Sequence, residues 1–252
     1  MSASPPTALL AERLTHRYPG SPQPALDGLD LHLYEGEIFG LLGPNGAGKT
    51  TAISILSTLL KPDGGTVAVK GLDIWRHKKA VRRIIGLVPQ EIALYPTLSV
   101  RENLRFFGKL QGLCGSRLRR RIEATLAAVG LGQRADQRIV TFSGGMKRRA
   151  NLAVGLLHDP PVLFLDEPTV GIDAQSRQLI LERIEALRDR GTAVLYTTHY
   201  MEEAQRLCTR AAIMDQGRIL TQGSVDRLLA QGPGGDLGGL FLHLTGKQLR
   251  DT

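Results

Sequence analysis

The stretch Ile38-Phe39-Gly40-Leu41-Leu42-Gly43-Pro44-Asn45-Gly46-Ala47-Gly48-Lys49-Thr50 decides the fold. Ile38 to Leu42 is a continuous apolar run of strand length, the pattern of a strand buried on both faces. It runs directly into G-x-x-x-x-G-K-S/T, filled at every position from Gly43 to Thr50. Thr50 to Leu60 then reads as a helix with Ile53, Leu56 and Leu60 on one face. Glycines let backbone N–H groups approach phosphate oxygens closely and take conformations closed to larger residues. The helix N-terminus beginning near Lys49 adds unsatisfied donors and a favourable dipole. Lys49 is placed to reach β- and γ-phosphates and Thr50 to offer a hydroxyl to Mg²⁺. Gly43, Pro44, Asn45, Gly46, Ala47, Gly48, Lys49, Thr50 and the neighbouring Thr51 are the candidate phosphate-binding residues.

A second anchor lies at Val162-Leu163-Phe164-Leu165-Asp166-Glu167-Pro168. Four apolar residues make a central strand, and the acid pair emerges at its carboxyl end, where open α/β sheets bind ligands. Asp166 is the candidate metal-holding acid. Glu167 is placed to polarise a water for in-line attack on a γ-phosphate. No Asn-Lys-x-Asp element is present, which argues against a GTPase.

Outward from these anchors the chain alternates between two textures. Leu29, Leu31 and Leu33 alternate with polar residues as in a half-buried strand, and residues 8 to 14, the Val67–Val69 region and Ile84 to Val88 also read as strands. From about 91 to 158 the pattern is helical, with Leu118, Ile122, Leu126 and Val129 recurring every three or four residues, and with helices beginning near Val100 and Met146. Strand character returns at Val162–Leu165 and Ala193–Thr197, separated by a helix over 174 to 188. A hairpin is expected around Asp215–Arg218, and Ser224 caps a short helix through Leu229. Five of the eight residues from Gly232 to Gly239 are glycine, which predicts a flexible joint before Leu240–Leu244. The expected architecture is an α/β core with a small antiparallel component and a helical insertion.

With 252 residues, the chain is long enough for one large domain or two modest ones. No apolar run reaches the ~18 residues of a membrane span. The N-terminus has no basic region followed by an apolar block, so a secretory signal is not expected. Cys114 and Cys208 are too few for a disulfide scaffold, which fits a reducing compartment. The formal charge of +8 is compatible with nucleotides, nucleic acid or an anionic surface and does not choose among them. Arg117, Arg119, Arg120 and Arg121 form a basic run with two readings, a contact for anionic lipid or partner acids and, preferred, a solvated helix face, and no function is assigned to it.

Taken together, Gly43 to Thr50, Gln90, Ser143-Gly144-Gly145, Leu165 to Pro168, Asp173 and His199 resemble, in order and spacing, the ATP-binding subunits of ABC transporters, over roughly residues 8 to 229. The resemblance implies a P-loop NTPase core of the ABC-ATPase type, with an antiparallel β subdomain and an inserted α-helical subdomain. It implies an ATP-binding domain over 1–229, with the insertion at about 91–158, and a joint and short tail over 230–252. ATP and Mg²⁺ are the expected ligands. Tyr18 looks like the aromatic that stacks on adenine. Gln90 looks like the glutamine that contacts Mg²⁺ and the attacking water. His199 looks like the histidine that contacts the γ-phosphate. Ser143, Gly144 and Gly145 look like the element that approaches the γ-phosphate from the opposite subunit, and Asp173 like the loop acid linking the two sites.

The resemblance further implies a pair of such chains, identical or homologous, docked through the helical insertion on an integral-membrane permease at the cytoplasmic face of the cell membrane, with no nucleic acid involved. Tyr95–Leu104 and Phe241–Arg250 resemble subunits of exporters, including those for antibiotics and other drugs. Phe142, Ala150 and Ile172 stand where Leu is usual in the family, changes of packing rather than of polar groups. The alternative kept open is a soluble ABC-type ATPase acting on nucleic acid or ribosomes.

Overall fold

The computed structural model describes residues 5–246. In chain order its elements are β1 (Thr7–His16), β2 (Leu26–Tyr34), β3 (Ile38–Leu42), α1 (Lys49–Leu56), β4 (Gly64–Val69), β5 (Leu72–Asp73), α2 (Lys78–Ile84), β6 (Ile85–Val88), α3 (Val100–Leu110), α4 (Gly115–Ala128), α5 (Gly144–Leu156), β7 (Val162–Asp166), α6 (Ala174–Arg188), β8 (Ala193–Thr198), α7 (Met201–Leu207), β9 (Arg210–Asp215), β10 (Arg218–Ser224), α8 (Val225–Gln231) and α9 (Leu237–Thr245).

Six strands form the central sheet in the order β10-β9-β3-β8-β7-β6, parallel except for the β9–β10 hairpin. β3, β7 and β8 are buried at every residue, as continuously apolar strands covered on both faces must be. Alternate side chains feed two separate cores. Leu163 and Leu165 of β7 join Ile38, Leu42 and Tyr196 against the helices, while Val162 and Phe164 join Phe39, Leu41 and Leu195 on the opposite face. That opposite face is covered by α1 and by the second sheet, β2-β1-β4-β5, all antiparallel.

The helical insertion between β6 and β7 carries α3, α4 and α5. Ser99 starts α3 with a full capping box, accepting from the Glu102 N–H while the Glu102 carboxylate accepts from the Ser99 N–H. Two arginines close helix C-termini. Arg149 donates to the carbonyls of Val129 and Gly130 beyond α4. Arg121 donates to those of Leu156 and Leu157 at the end of α5 and pairs with Asp159. Arg121 therefore does not belong to a solvated basic face; only Arg117, Arg119 and Arg120 of that run are exposed.

Other expectations shift. The helix expected over Thr50–Leu60 ends at Leu56, where Thr58 takes a left-handed backbone with φ 68°. Ile84 closes α2, a helix too short to show a period, and the strand begins at Ile85. Part of the Gly232–Gly239 stretch is helical. Asp236 caps α9 by accepting from the Gly239 N–H at 2.6 Å, so Gly238 and Gly239 form the first turn of a helix. α9 seats Leu237, Leu240 and Phe241 in the same apolar cluster as α7 and α8. Of the segment Phe241–Arg250, residues 247 to 250 lie outside the described residues.

Candidate nucleotide site

The sheet order puts β3 next to β8 and β8 next to β7, so the loops leaving these three strands meet at their carboxyl ends. The first is the Gly43–Gly48 loop. Gly48 has φ 106°, and a Cβ there would lie 2.4 Å from the Ala25 carbonyl oxygen, so the turn into α1 excludes any side chain. Lys49 opens α1 and folds back over the loop, donating from Nζ to the carbonyls of Gly43 at 2.7 Å and Pro44 at 3.0 Å.

The second loop leaves β7. Glu167 has a left-handed backbone, φ 45°, which turns its side chain out of the strand's alternation. Its carboxylate is a point of convergence. Oε1 is 3.1 Å from Lys49 Nζ and 3.3 Å from His199 Nδ1, and Oε2 accepts from Gln90 Nε2 at 3.2 Å. Lys49 and Glu167 are each 5% exposed, so the pair is shielded from water, and it ties α1 to the chain leaving β7. Such a pair is costly to bury and costlier to break.

Asp166 is buried beside it. Burial pushes its carboxyl above the usual carboxylate range, while hydrogen bonds from the Thr197 and Thr50 hydroxyls act the other way. Thr197 Oγ1 donates to Asp166 at 2.7 Å and accepts from the Glu167 N–H at 3.0 Å, so one residue of β8 positions both acids. Thr197 is a site residue that sequence reasoning missed. It reads as one more strand residue, and only the β7–β8 pairing of Asp166 with Thr197 gives it a role. The oxygen set at Thr50 and Asp166 fits Mg²⁺, which takes one or two protein oxygens and completes its shell with phosphate and water. Among the described residues no three His, Cys, Asp or Glu side chains form a ready-made metal cage, in keeping with a cation of that kind.

A cavity of about 410 Å³ opens beside these groups, lined by Tyr18, Asn45, Gly46, Gly48, Lys49, Thr50, Thr51, Gln90 and Glu167 together with Ala25. Tyr18 stands at its rim, 44% exposed, with its hydroxyl 3.3 Å from Thr51 Oγ1 and its ring edge-on to His16. Gln90 is tied to the insertion. Arg148 of α5 donates to the Gln90 carbonyl and, at 3.1 Å, to that of Val170. Asn151, also of α5, donates to the carbonyl of Pro89 at 3.1 Å and accepts from the Ala93 N–H at 3.2 Å.

The remaining sequence candidates sit elsewhere. Ser143 caps α5, accepting from the Met146 N–H at 3.3 Å. Asp173 caps α6, accepting from the Ser176 N–H at 2.8 Å, and this backbone donor holds its carboxyl below the usual range. The two helix starts abut. A Cβ on Gly145 would lie 2.0 Å from Ser176 Oγ and 3.5 Å from Asp173 Oδ2. Ser143, Gly144, Gly145 and Asp173 thus form a second cluster, and none of them lines the cavity.

The pattern of the ABC transporter family matches residues 26–170, more than half the chain. The chain belongs to the ABC transporter family. It is 50% identical over 209 residues to the linearmycin resistance ATP-binding protein of Bacillus subtilis (strain 168), covering 83% of this chain and 67% of that one. It is 45% identical over 216 residues to the Nod factor export ATP-binding protein I of Paraburkholderia xenovorans (strain LB400), covering 86% and 71%. Its fold superposes with a TM-score of 0.78, at 26% identity over 86% of this chain and 98% of the other, on a dimeric ATP-binding cassette in a post-hydrolysis state bound to ADP and Pi. The family member described here is an ATP-binding subunit that hydrolyses ATP to power transport. Among the described residues no helix is long and apolar enough to cross a membrane.

Proposed function

We propose that this subunit drives export of a compound through a separate membrane-spanning permease, working as one of a pair of cassettes at the cytoplasmic face of the membrane. The outward direction is supported by the relatives named for linearmycin resistance and for Nod factor export. The pairing is supported by the separation of Ser143–Gly145 and Asp173 from the cavity that holds the Gly43–Thr50 loop. Each hydrolytic centre then takes its cradle from one chain and its serine–glycine element from the other. The ATP-binding domain is assigned to residues 1–229, with the insertion at about 91–158 as the permease contact and 230–252 as an appendage.

Within the cavity Tyr18 stacks on adenine, and the loop N–H groups with Lys49 hold the β- and γ-phosphates. Thr50 and Asp166, with Gln90, hold Mg²⁺, which neutralises phosphate charge when bound. Glu167 is the general base: its carboxylate takes the proton of the attacking water as that water adds in line to the γ-phosphorus and the β–γ bridging oxygen leaves on ADP. His199 contacts the γ-phosphate, and Gln90 orients the water. The N–H groups at the start of α5 from the opposite chain face the same phosphate. Charge on two nucleotides shared across the pair closes it, and loss of the γ-phosphate reopens it.

The observation that carries this reading is the meeting of Lys49, Gln90 and His199 on the Glu167 carboxylate. Glu167→Gln tests it. The variant should bind MgATP with affinity within about threefold of the parent, form an ATP-dependent dimer on size exclusion, and hydrolyse at least ~10²-fold more slowly. Hydrolysis at the parental rate would remove Glu167 from the role of base.

A further inference from the structure

One buried carboxylate has no part in the assignments above. Glu203, on the short helix α7, is 5% exposed. Its Oε2 accepts three hydroxyl hydrogen bonds, from Tyr196 at 2.6 Å, Thr169 at 2.8 Å and Thr198 at 3.2 Å. Its Oε1 makes no hydrogen bond and is matched by the Arg177 guanidinium, Nε at 3.4 Å. Thr169, Tyr196 and Thr198 are fully buried. Burial and the neighbouring Glu203 charge hold the Tyr196 hydroxyl well above its usual range, so it remains a donor. Apolar side chains would pack such an interior with less desolvation. The hydroxyl donors instead come from places that flank the reacting groups.

Thr169 lies two residues beyond Glu167. Thr198 immediately precedes His199, and its hydroxyl has two tasks: it donates to Glu203 and accepts the Tyr200 N–H at 2.9 Å. His199 is therefore the middle residue of a backbone turn whose two ends are joined through the Thr198 side chain, and that side chain is anchored on Glu203. Tyr200 is held from the other side by Arg177, whose guanidinium carbon lies 4.8 Å from the ring centre and which also pairs with Glu203.

We infer, on the assignment of Glu167 and His199 made above, that Glu203 is a positioning residue. Through Thr198 it fixes the turn that carries His199, and through Thr169 it fastens that turn to the chain leaving Glu167. The 3.3 Å approach of His199 to Glu167 is the product of this fastening. Glu203 touches no reacting atom, and its effect passes through the imidazole.

The test uses the full chain and two near-isosteric variants, Glu203→Gln, which removes the charge that three hydroxyls and Arg177 share, and Thr198→Val, which leaves the carboxylate in place. Imidazole resonances are recorded on ¹⁵N-histidine-labelled protein, with His199 assigned by its absence in His199→Ala. The His199 signal should shift or broaden in both variants while the other imidazole signals stay put. An unmoved His199 signal in either variant overturns the inference, whatever His199 does in hydrolysis. In the same proteins kcat should fall ~10- to 100-fold, as for a misplaced catalytic contact, with KM for MgATP within about threefold. In a His199→Ala background Glu203→Gln should cost less than about twofold more. Losses that multiply would mean that Glu203 acts independently of the histidine. If His199→Ala itself hydrolyses like the parent, the assignment of His199 falls, and the resonance measurement still decides what Glu203 holds.

Discussion

At the ends of β3, β7 and β8 the charged groups are buried and answer one another. Lys49 and Glu167 are each 5% exposed, with Gln90 and His199 on the same carboxylate. On the helical insertion the polar groups assigned to nucleotide contact face outward, with Ser143 and Gly144 exposed and Gly145 alone packed inside, against Ser176. The first region has its partners within one chain. The second has its helix start outside the lining of the cavity, which is what the proposed pairing of two cassettes requires of it. The two are joined by a few identifiable contacts, chiefly Arg148 on the Gln90 carbonyl and Asn151 on Pro89 and Ala93. α5 is thus coupled to the nucleotide cavity through the backbone around Gln90.

The sharpest way to separate the regions is to damage each alone. Lys49→Ala removes the cation from the buried pair, and both nucleotide affinity and hydrolysis should collapse, hydrolysis by ~10²–10³-fold. Equilibrium binding of a fluorescent ATP analogue and phosphate release read this, and unchanged affinity would dismiss the cradle. Gly145→Ala strikes the other region. The new Cβ meets Ser176, so the start of α5 must shift against α6. Hydrolysis should fall ~10- to 100-fold while the isolated chain binds nucleotide within about threefold of the parent. A matching loss of monomer affinity would mean that the two clusters are not separate. The smallest effect belongs to Ser99→Ala, which removes the α3 cap. About 1 kcal/mol of stability should be lost in chemical denaturation, with turnover per folded molecule unchanged.

The same division governs what the sequence disclosed. The Gly43–Thr50 loop and the Asp166–Glu167 pair were readable because phosphate chemistry dictates residue type and spacing over a short stretch. β3, β7 and β8 followed from their unbroken apolar runs. Thr197 reads as an ordinary strand residue, and Thr198 and Glu203 belong to no motif, because their roles depend on which strands become neighbours. Arg121 looked like part of a charged face since nothing local tells that α4 passes the end of α5. α9 was hidden by composition. Its glycines outweighed the spacing of Leu237, Leu240 and Phe241 and the Asp236 cap, and the docking surface on α7 and α8 is what makes a glycine-rich first turn tolerable.

The first glycine of the cradle leans on the far end of the chain. A Cβ at Gly43 would lie 2.2 Å from the Met214 carbonyl oxygen, and the Gly217 N–H donates to the Ala47 carbonyl at 2.9 Å while its own carbonyl accepts from Asp27 at 2.9 Å. The β9–β10 turn is thus a keystone: it wedges between the antiparallel sheet and the nucleotide loop and completes both. Epitope tags, fluorophores or fusion joints placed in that exposed-looking hairpin will read out as weakened ATP affinity, although they sit some 170 residues downstream of the loop they disturb.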